Sequence, residues 1–252
     1  MSAKNIHYAL VIDKSGSMGV NREDTRMGIN EQIQSLQDIA RTYPEYNYTL
    51  SIYLFNDYYT PIVEMQDPSN VREFLPEDYS PSGMTALYDS MGKTAAAFEK
   101  TALPEDEVTI VTFTDGQENM SREYKLDSLR AMIERLQSER QFTFSFIGTN
   151  QDAIMTSHDL SIHAGNAATY SSAGVDTVSG NVNFGADVTA TSGAFRMSSN
   201  AMYNRERTRA AGGATLDMAT SYMSATTDAL VNGGLDMPDP VDVDTDSKVD
   251  TE

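Results

Sequence analysis

The chain has 252 residues with 18 basic and 37 acidic side chains, a net charge of −19, so nucleic acid and anionic membrane surfaces are repelled while cations and basic partners are favoured. Cysteine is absent, which excludes a disulfide framework, zinc–thiolate sites and thiol nucleophiles. The length suffices for one large α/β domain with decorations, and no stretch approaches the roughly 18 apolar residues of a membrane helix. The first segment, "MSAKNIHYALVID", carries one lysine and an apolar run too short and interrupted for a secretory signal, so a cytoplasmic location is expected. Within it, "IHYALVID" (6–13) is a continuous apolar strand ending on Asp13, the pattern of a central parallel strand buried on both faces. A polar loop, "KSGSMG", follows. The spacing then predicts a helix over 23–43, with Met27, Ile29, Ile33, Leu36, Ile39 and Ala40 near one face and Pro44 after its end. "YTLSIYLFN" (48–56) is a second strand, and "TPIVEM" (60–65) pairs with it across the short "NDYY" turn. "TALYDSMGKTAAAFEK" (85–100) is helical, with Leu87, Met91, Ala95 and Phe98 on one face. "EVTIVTFTDG" (107–116) is another fully buried strand ending on an acid, Asp115, followed by an amphipathic helix at 126–139 and a strand at 142–150. Alternating strands and helices predict an α/β fold: a doubly wound, mostly parallel, Rossmann-like sheet with helices on both faces.

Beyond about residue 160 the periodicity weakens. Phe184, Val188, Thr191, Phe195 and Met202 recur at helical spacing and predict one more helix over about 178–206, against the alternative of a partly ordered arm. "RERTR" (205–209) is a small basic cluster in an acidic chain. The segment "NGGLDMPDPVDVDTDSKVDTE" holds seven acids and one lysine with few aliphatics, the composition of a disordered, solvated tail. The expected organisation is a core over 1–165, a C-terminal extension over 166–231 with a helix on or beside the core, and an acidic tail over 232–252.

In a doubly wound sheet, ligands sit outside the carboxyl ends of the strands near the switch in strand order. Asp13, Ser15 and Ser17 follow the first strand, Asp115 ends the strand at 107–114, and Thr85 opens a helix. Two carboxylates and three hydroxyls gathered there repel unless a positive group sits between them. All the donors are hard oxygens, so Mg²⁺ or Mn²⁺ is the expected guest, with Ca²⁺ less favoured.

These residues also carry a family resemblance. "DKSGS" resembles the D-x-S-x-S signature of von Willebrand factor type A domains, "SGMTALYD" their threonine loop and "TFTDGQEN" their TDG loop, in the same order and over about residues 5–165. The resemblance implies a metal-ion-dependent adhesion site at Asp13, Ser15, Ser17, Thr85 and Asp115. Ser15 and Ser17 would then bind the ion directly, Thr85 directly or through water, and Asp13 and Asp115 mainly through water or as supporting acceptors. An ion touched by few charged groups keeps net positive charge and can take an Asp or Glu carboxylate from another protein. Gly16, Met18, Met84, Glu118 and Asn119 border the site and are the expected partner-contacting residues; Met84 departs from the small residues common before the threonine. The loop style resembles the intracellular bacterial or bacteriophage branch of the family, which implies a protein-binding adaptor, for example beside AAA+ ATPases or in stress and defence systems, and not an enzyme.

Other readings stand beside this one. Taken alone, D-x-S-x-S is also the pattern of an Asx turn with a helix cap. Asp13 could be the nucleophile of a Mg²⁺-dependent phosphotransferase, but residue 15 is Ser where a second Asp would supply acid–base chemistry. A serine hydrolase lacks its G-x-S-x-G, and His158 and His163 lack a third zinc ligand. Asp242, Asp244 and Asp246 imitate a calcium loop, with Ser247 where its Gly should be. Asp89 would either buttress the site or sit on a helix surface, and Tyr58 and Tyr59 would be half-buried in a hairpin turn. A purely structural part in a larger, possibly viral, assembly is the remaining alternative.

Overall fold

The computed structural model describes residues 3–162, 166–170 and 190–212. Five strands and three helices alternate through the core: β1 (Asn5–Asp13), α1 (Arg22–Thr42), β2 (Asn47–Phe55), β3 (Tyr59–Gln66), α2 (Leu87–Thr101), β4 (Glu107–Thr114), α3 (Leu126–Glu139) and β5 (Phe142–Thr149). After them come α4 (Asn150–Asp159), β6 (Ala167–Tyr170) and α5 (Ala190–Ala210). One sheet of six strands has the order β3-β2-β1-β4-β5-β6. All neighbours are parallel except the hairpin β2–β3. The chain builds outward from β1 through β2 to β3, then returns to place β4 on the other side of β1. The switch in strand order therefore falls between β1 and β4, and the loops after these two strands line the crevice where such sheets bind ligands.

The two-residue period of the strands divides the core into two layers. Ile6, Tyr8, Leu10 and Ile12 of β1 pack with Ile29, Ile33, Leu36 and Ile39 of α1, whereas Ala9 and Val11 pack with Leu87, Met91, Ala95 and Phe98 of α2 and Leu129, Ile133 and Leu136 of α3. Met27 is not on this stripe: it stands two residues, about 200° of helix, from Ile29, and is 56% exposed. Tyr58 is exposed rather than half-buried, while Tyr59 stacks on Tyr53 with ring centroids 5.1 Å apart.

Of the helix expected over 178–206, residues 178–189, including Phe184 and Val188, lie outside the described residues, and the described helix runs on to Ala210. α5 lies against α1 and the sheet. Phe195 stacks on Phe113 at 4.1 Å and covers Gly28 so closely that a Cβ there would stand 2.2 Å from its ring. Gln32 Nε2 donates to Phe195 O at 2.7 Å. The "RERTR" cluster is not a free basic surface. Arg205, Glu206 and Arg209 are buried. Glu206 accepts from Tyr8 Oη at 2.8 Å and Tyr48 Oη at 2.6 Å, Arg209 pairs with both Glu206 and Glu107, and Arg205 Nη1 donates to Thr109 Oγ1 at 2.6 Å. Burial raises the Glu107 carboxyl, but the guanidinium groups of Arg205 and Arg209, with Lys4, outweigh it and hold the group below the ordinary glutamate range.

Candidate metal centre

β1 and β4 run in register, Ile12 opposite Phe113, so Asp13 and Thr114 leave the sheet side by side. Asp13 is fully buried. Its Oδ1 accepts from Ser15 N at 2.6 Å and its Oδ2 from Thr114 Oγ1 at 2.6 Å, while Tyr79 Oη donates to its backbone carbonyl at 2.6 Å. Ser15 Oγ lies 3.1 Å from Ser17 Oγ, and Ser17 Oγ donates to Asp115 Oδ1 at 2.6 Å. Gly116 shows where these groups converge. A Cβ at Gly116 would stand 3.1 Å from Thr85 Oγ1 and 3.7 Å from both Asp13 Oδ2 and Ser17 Oγ. Three oxygens from two loops thus border one small space that the glycine of a third loop leaves open. Four of the five residues read from the sequence, Asp13, Ser15, Ser17 and Asp115, are linked in one hydrogen-bonded chain, and Thr85 closes the space from the helix side.

Burial pushes the Asp13 carboxyl up to about 6, against the opposing hydrogen bonds of Thr114 and Ser15, with Asp115 adding repulsion. Burial raises Asp115 as well, opposed by Ser17. The groups bonded to Asp13 are a hydroxyl and an amide, both neutral, so its ionised form is held without a counter-charge. The set fits a hard divalent cation: two carboxylates and three hydroxyls, with no sulfur or imidazole. Among the described residues, no group of three or more His, Cys, Asp or Glu side chains is placed to hold a metal, which leaves this mixed set as the candidate. His158 is exposed, and His163 lies outside the described residues. Alanine at Gly116 would put a methyl group into the space, so Gly116→Ala should bind Mg²⁺ at least about tenfold more weakly while its melting temperature without metal moves by only a few degrees; paired calorimetric titrations and thermal melts check this.

The bordering residues separate into two groups. Met18, expected at a partner surface, is buried in the core at 1% exposure, because the short 3₁₀ turn Gly16–Asn21 points it inward. Gly16 is spent on the loop contact, its N donating to Gly83 O at 3.0 Å. Glu118 turns inward: its carboxylate accepts from the backbone N of Tyr88, Met120 and Ser121 at 2.9, 2.8 and 2.6 Å. Asn119 grips Thr85, Oδ1 accepting from Thr85 N at 2.9 Å and its own N donating to Thr85 O at 3.1 Å. Met84 is 46% exposed and Val20 is 92% exposed on the same loops. Asp89 does buttress the site, at one remove: it accepts from the N of Arg122, Glu123 and Tyr124 at 3.0, 2.9 and 2.8 Å and so ties the loop after β4 to α2. Thr114, Tyr79 and Asp57 were not visible as site residues. Thr114 had a signal, a hydroxyl at a strand end one residue before Asp115; Tyr79 and Asp57 act across 66 and 27 residues and leave none.

No described helix is long and apolar enough to cross a membrane. No curated protein matches the chain. Among solved structures, a von Willebrand factor type A protein from Catenulispora acidiphila is similar with a TM-score of 0.51 at 15% identity, over 79% of this chain and 42% of that one. The pilus adhesin SpaC from Lactobacillus rhamnosus GG, in its open conformation, gives 0.57 at 12% identity, over 79% of this chain and 30% of that one. The SpRpn10 VWA domain gives 0.52 at 12% identity, over 75% of this chain and 92% of that one. The chain spans less than half the length of the first two, and at these identities the likeness concerns the fold. The sequence profile of the von Willebrand factor type A domain matches residues 9–179, which covers both strand-end loops and the threonine loop, and the chain belongs to that family.

Proposed function

We propose that the chain is a protein-binding module that works through a divalent cation, Mg²⁺ or Mn²⁺, held at the ends of β1 and β4. The observation that carries this reading is the convergence of Thr85 Oγ1, Asp13 Oδ2 and Ser17 Oγ on the space beside Gly116. Ser15, Ser17 and Thr85 would hold the ion with neutral hydroxyls, and Asp13 and Asp115 would balance its charge from behind them. When bound, the ion supplies a positive coordination position that an Asp or Glu carboxylate of a partner protein can fill. Exposed Met84 and Val20 would offer apolar contacts beside that carboxylate. One structural neighbour is a pilus adhesin, which accords with binding as a use of this fold.

Binding suits the site better than phosphoryl transfer. Asp13, the one candidate nucleophile, is fully buried with both carboxylate oxygens engaged, whereas an attacking carboxylate must reach phosphorus in line. The test is a pull-down from the source cell's lysate in Mg²⁺, with wild type, a Ser15→Ala, Ser17→Ala variant and an EDTA lane, read by mass spectrometry. The reading expects a protein retained only by wild type with metal. The same proteins in all three lanes would refute it.

A further inference from the structure

The loop that carries Thr85 is fastened at every residue from 82 to 86. Ser82 N donates to Lys14 O at 2.8 Å, Gly16 N to Gly83 O at 3.0 Å and Ala86 N to Asn56 O at 2.9 Å. Asn56 Nδ2 donates to Ser82 O at 2.7 Å. The two amides in the middle are taken by side-chain oxygens from different parts of the chain: Met84 N by Asp57 Oδ2 at 2.9 Å and Thr85 N by Asn119 Oδ1 at 2.9 Å. The backbone of Asn119 completes the grip by donating to Thr85 O at 3.1 Å. The loop is shaped to admit Asp57. Gly83 has a φ of +82°, and a Cβ on it would stand 2.0 Å from Asp57 Oδ2.

Threonine is β-branched and stiff at χ1, so the place of Thr85 Oγ1 follows the place of its backbone, and the backbone follows these two acceptors. We propose that Asp57 and Asn119 are positioning residues of the metal centre, setting where Thr85 Oγ1 stands relative to Asp13 and Ser17 without touching the ion. The inference rests on the metal-binding reading above. It carries a specificity consequence. Mg²⁺ demands near-ideal octahedral geometry at about 2.0–2.1 Å, whereas Ca²⁺ accepts variable geometry at about 2.3–2.6 Å. A loosened Thr85 should therefore cost Mg²⁺ more than Ca²⁺.

The test is calorimetric titration of Mg²⁺ and of Ca²⁺ into the full chain carrying Asn119→Ala, Asp57→Ala, Asn119→Asp or Asp57→Asn. Each alanine variant should bind Mg²⁺ about tenfold more weakly, the scale of one lost hydrogen bond, with a smaller loss for Ca²⁺. Asn119→Asp and Asp57→Asn keep an acceptor oxygen and change the charge in opposite senses, so both should stay within about threefold of wild type. In the metal-free protein, the Thr85 amide should exchange with solvent faster in Asn119→Ala than in wild type or Asn119→Asp. Alanine variants that bind both ions as wild type does would overturn the inference. So would affinities that follow charge alone, with Asn119→Asp tighter than wild type and Asp57→Asn as weak as Asp57→Ala. A wild type that binds neither ion would instead remove the metal reading itself, and this inference with it.

Discussion

Glu206→Ala is expected to lower the stability of the chain by about 3–5 kcal/mol, the cost of breaking a buried ion pair by removing one partner. For a chain of this length that corresponds to a melting temperature roughly 10 °C below wild type. Glu206 is fully buried and serves three donors at once: the hydroxyls of Tyr8 and Tyr48 and the guanidinium of Arg209. Alanine strands all three in a site that water does not reach, and Arg209 keeps only Glu107 to balance it. Removing the charges together changes the outcome, because well-packed apolar residues can replace a buried pair at little net cost. A Glu206→Leu, Arg209→Met double variant should therefore recover much of the loss. Urea unfolding of the three proteins measures both effects. A single-variant loss below about 1 kcal/mol, the range of exposed ion pairs, would show that α5 does not hold its charges buried against the sheet in solution.

Asp13→Asn is expected to separate the stability of the metal-free protein from its response to metal. The ordinary aspartate value of 3.8 rises to about 6 in the fold. The folded state thus binds this proton more tightly than the unfolded chain does, so ionised Asp13 costs stability above about pH 6 and costs nothing below both values. Asparagine removes that charge and keeps the shape. Its Oδ1 can accept from Ser15 N, and its amide can donate to Thr114 Oγ1, whose hydroxyl has Gly116 O as an alternative acceptor at 3.2 Å. At pH 7 without metal, the variant should be more stable than wild type by up to about 3 kcal/mol, the upper bound from that shift. Saturating Mg²⁺ should then reverse the order. Wild type gains about 4.1 kcal/mol at a thousandfold excess over its Kd, more than that lead, and the variant gains little. Melts with and without Mg²⁺ check this directly, and a variant that responds to Mg²⁺ as fully as wild type would show that Asp13 is no part of the centre.

Much of the site was legible because its residues sit where the chain itself sets the geometry. Asp13 and Asp115 each end a strand whose unbroken apolar run marks it as central, and parallel pairing of those strands places their ends together. Ser15 and Ser17 follow within one turn. Thr85 was legible as a hydroxyl opening a helix, and the family resemblance added which loops it faces, since nothing local to "SGMTALYD" says so. Glu118, expected at the outer surface, turns inward, whereas Asn119 is exposed and also holds Thr85. An acid or amide in an irregular loop has no period to reveal its direction, and here the side-chain oxygens of both reach back to backbone N–H groups that would otherwise be orphaned at the start of α2 and along the loop before it. The charges of α5 were illegible for a different reason. Arg and Glu are rarely buried unless paired, and the pairing partner, Glu107, lies about a hundred residues away on β4. Met27 shows the opposite error, an apolar residue near the helical spacing that falls on the wet side of α1.

The most direct measurement is a calorimetric titration of Mg²⁺ into the wild-type chain beside the Ser15→Ala, Ser17→Ala variant, with both shown to be folded by their melts. The account predicts a single binding event in wild type that disappears in the variant. No heat from wild type at millimolar Mg²⁺, or equal binding by both proteins, would contradict it.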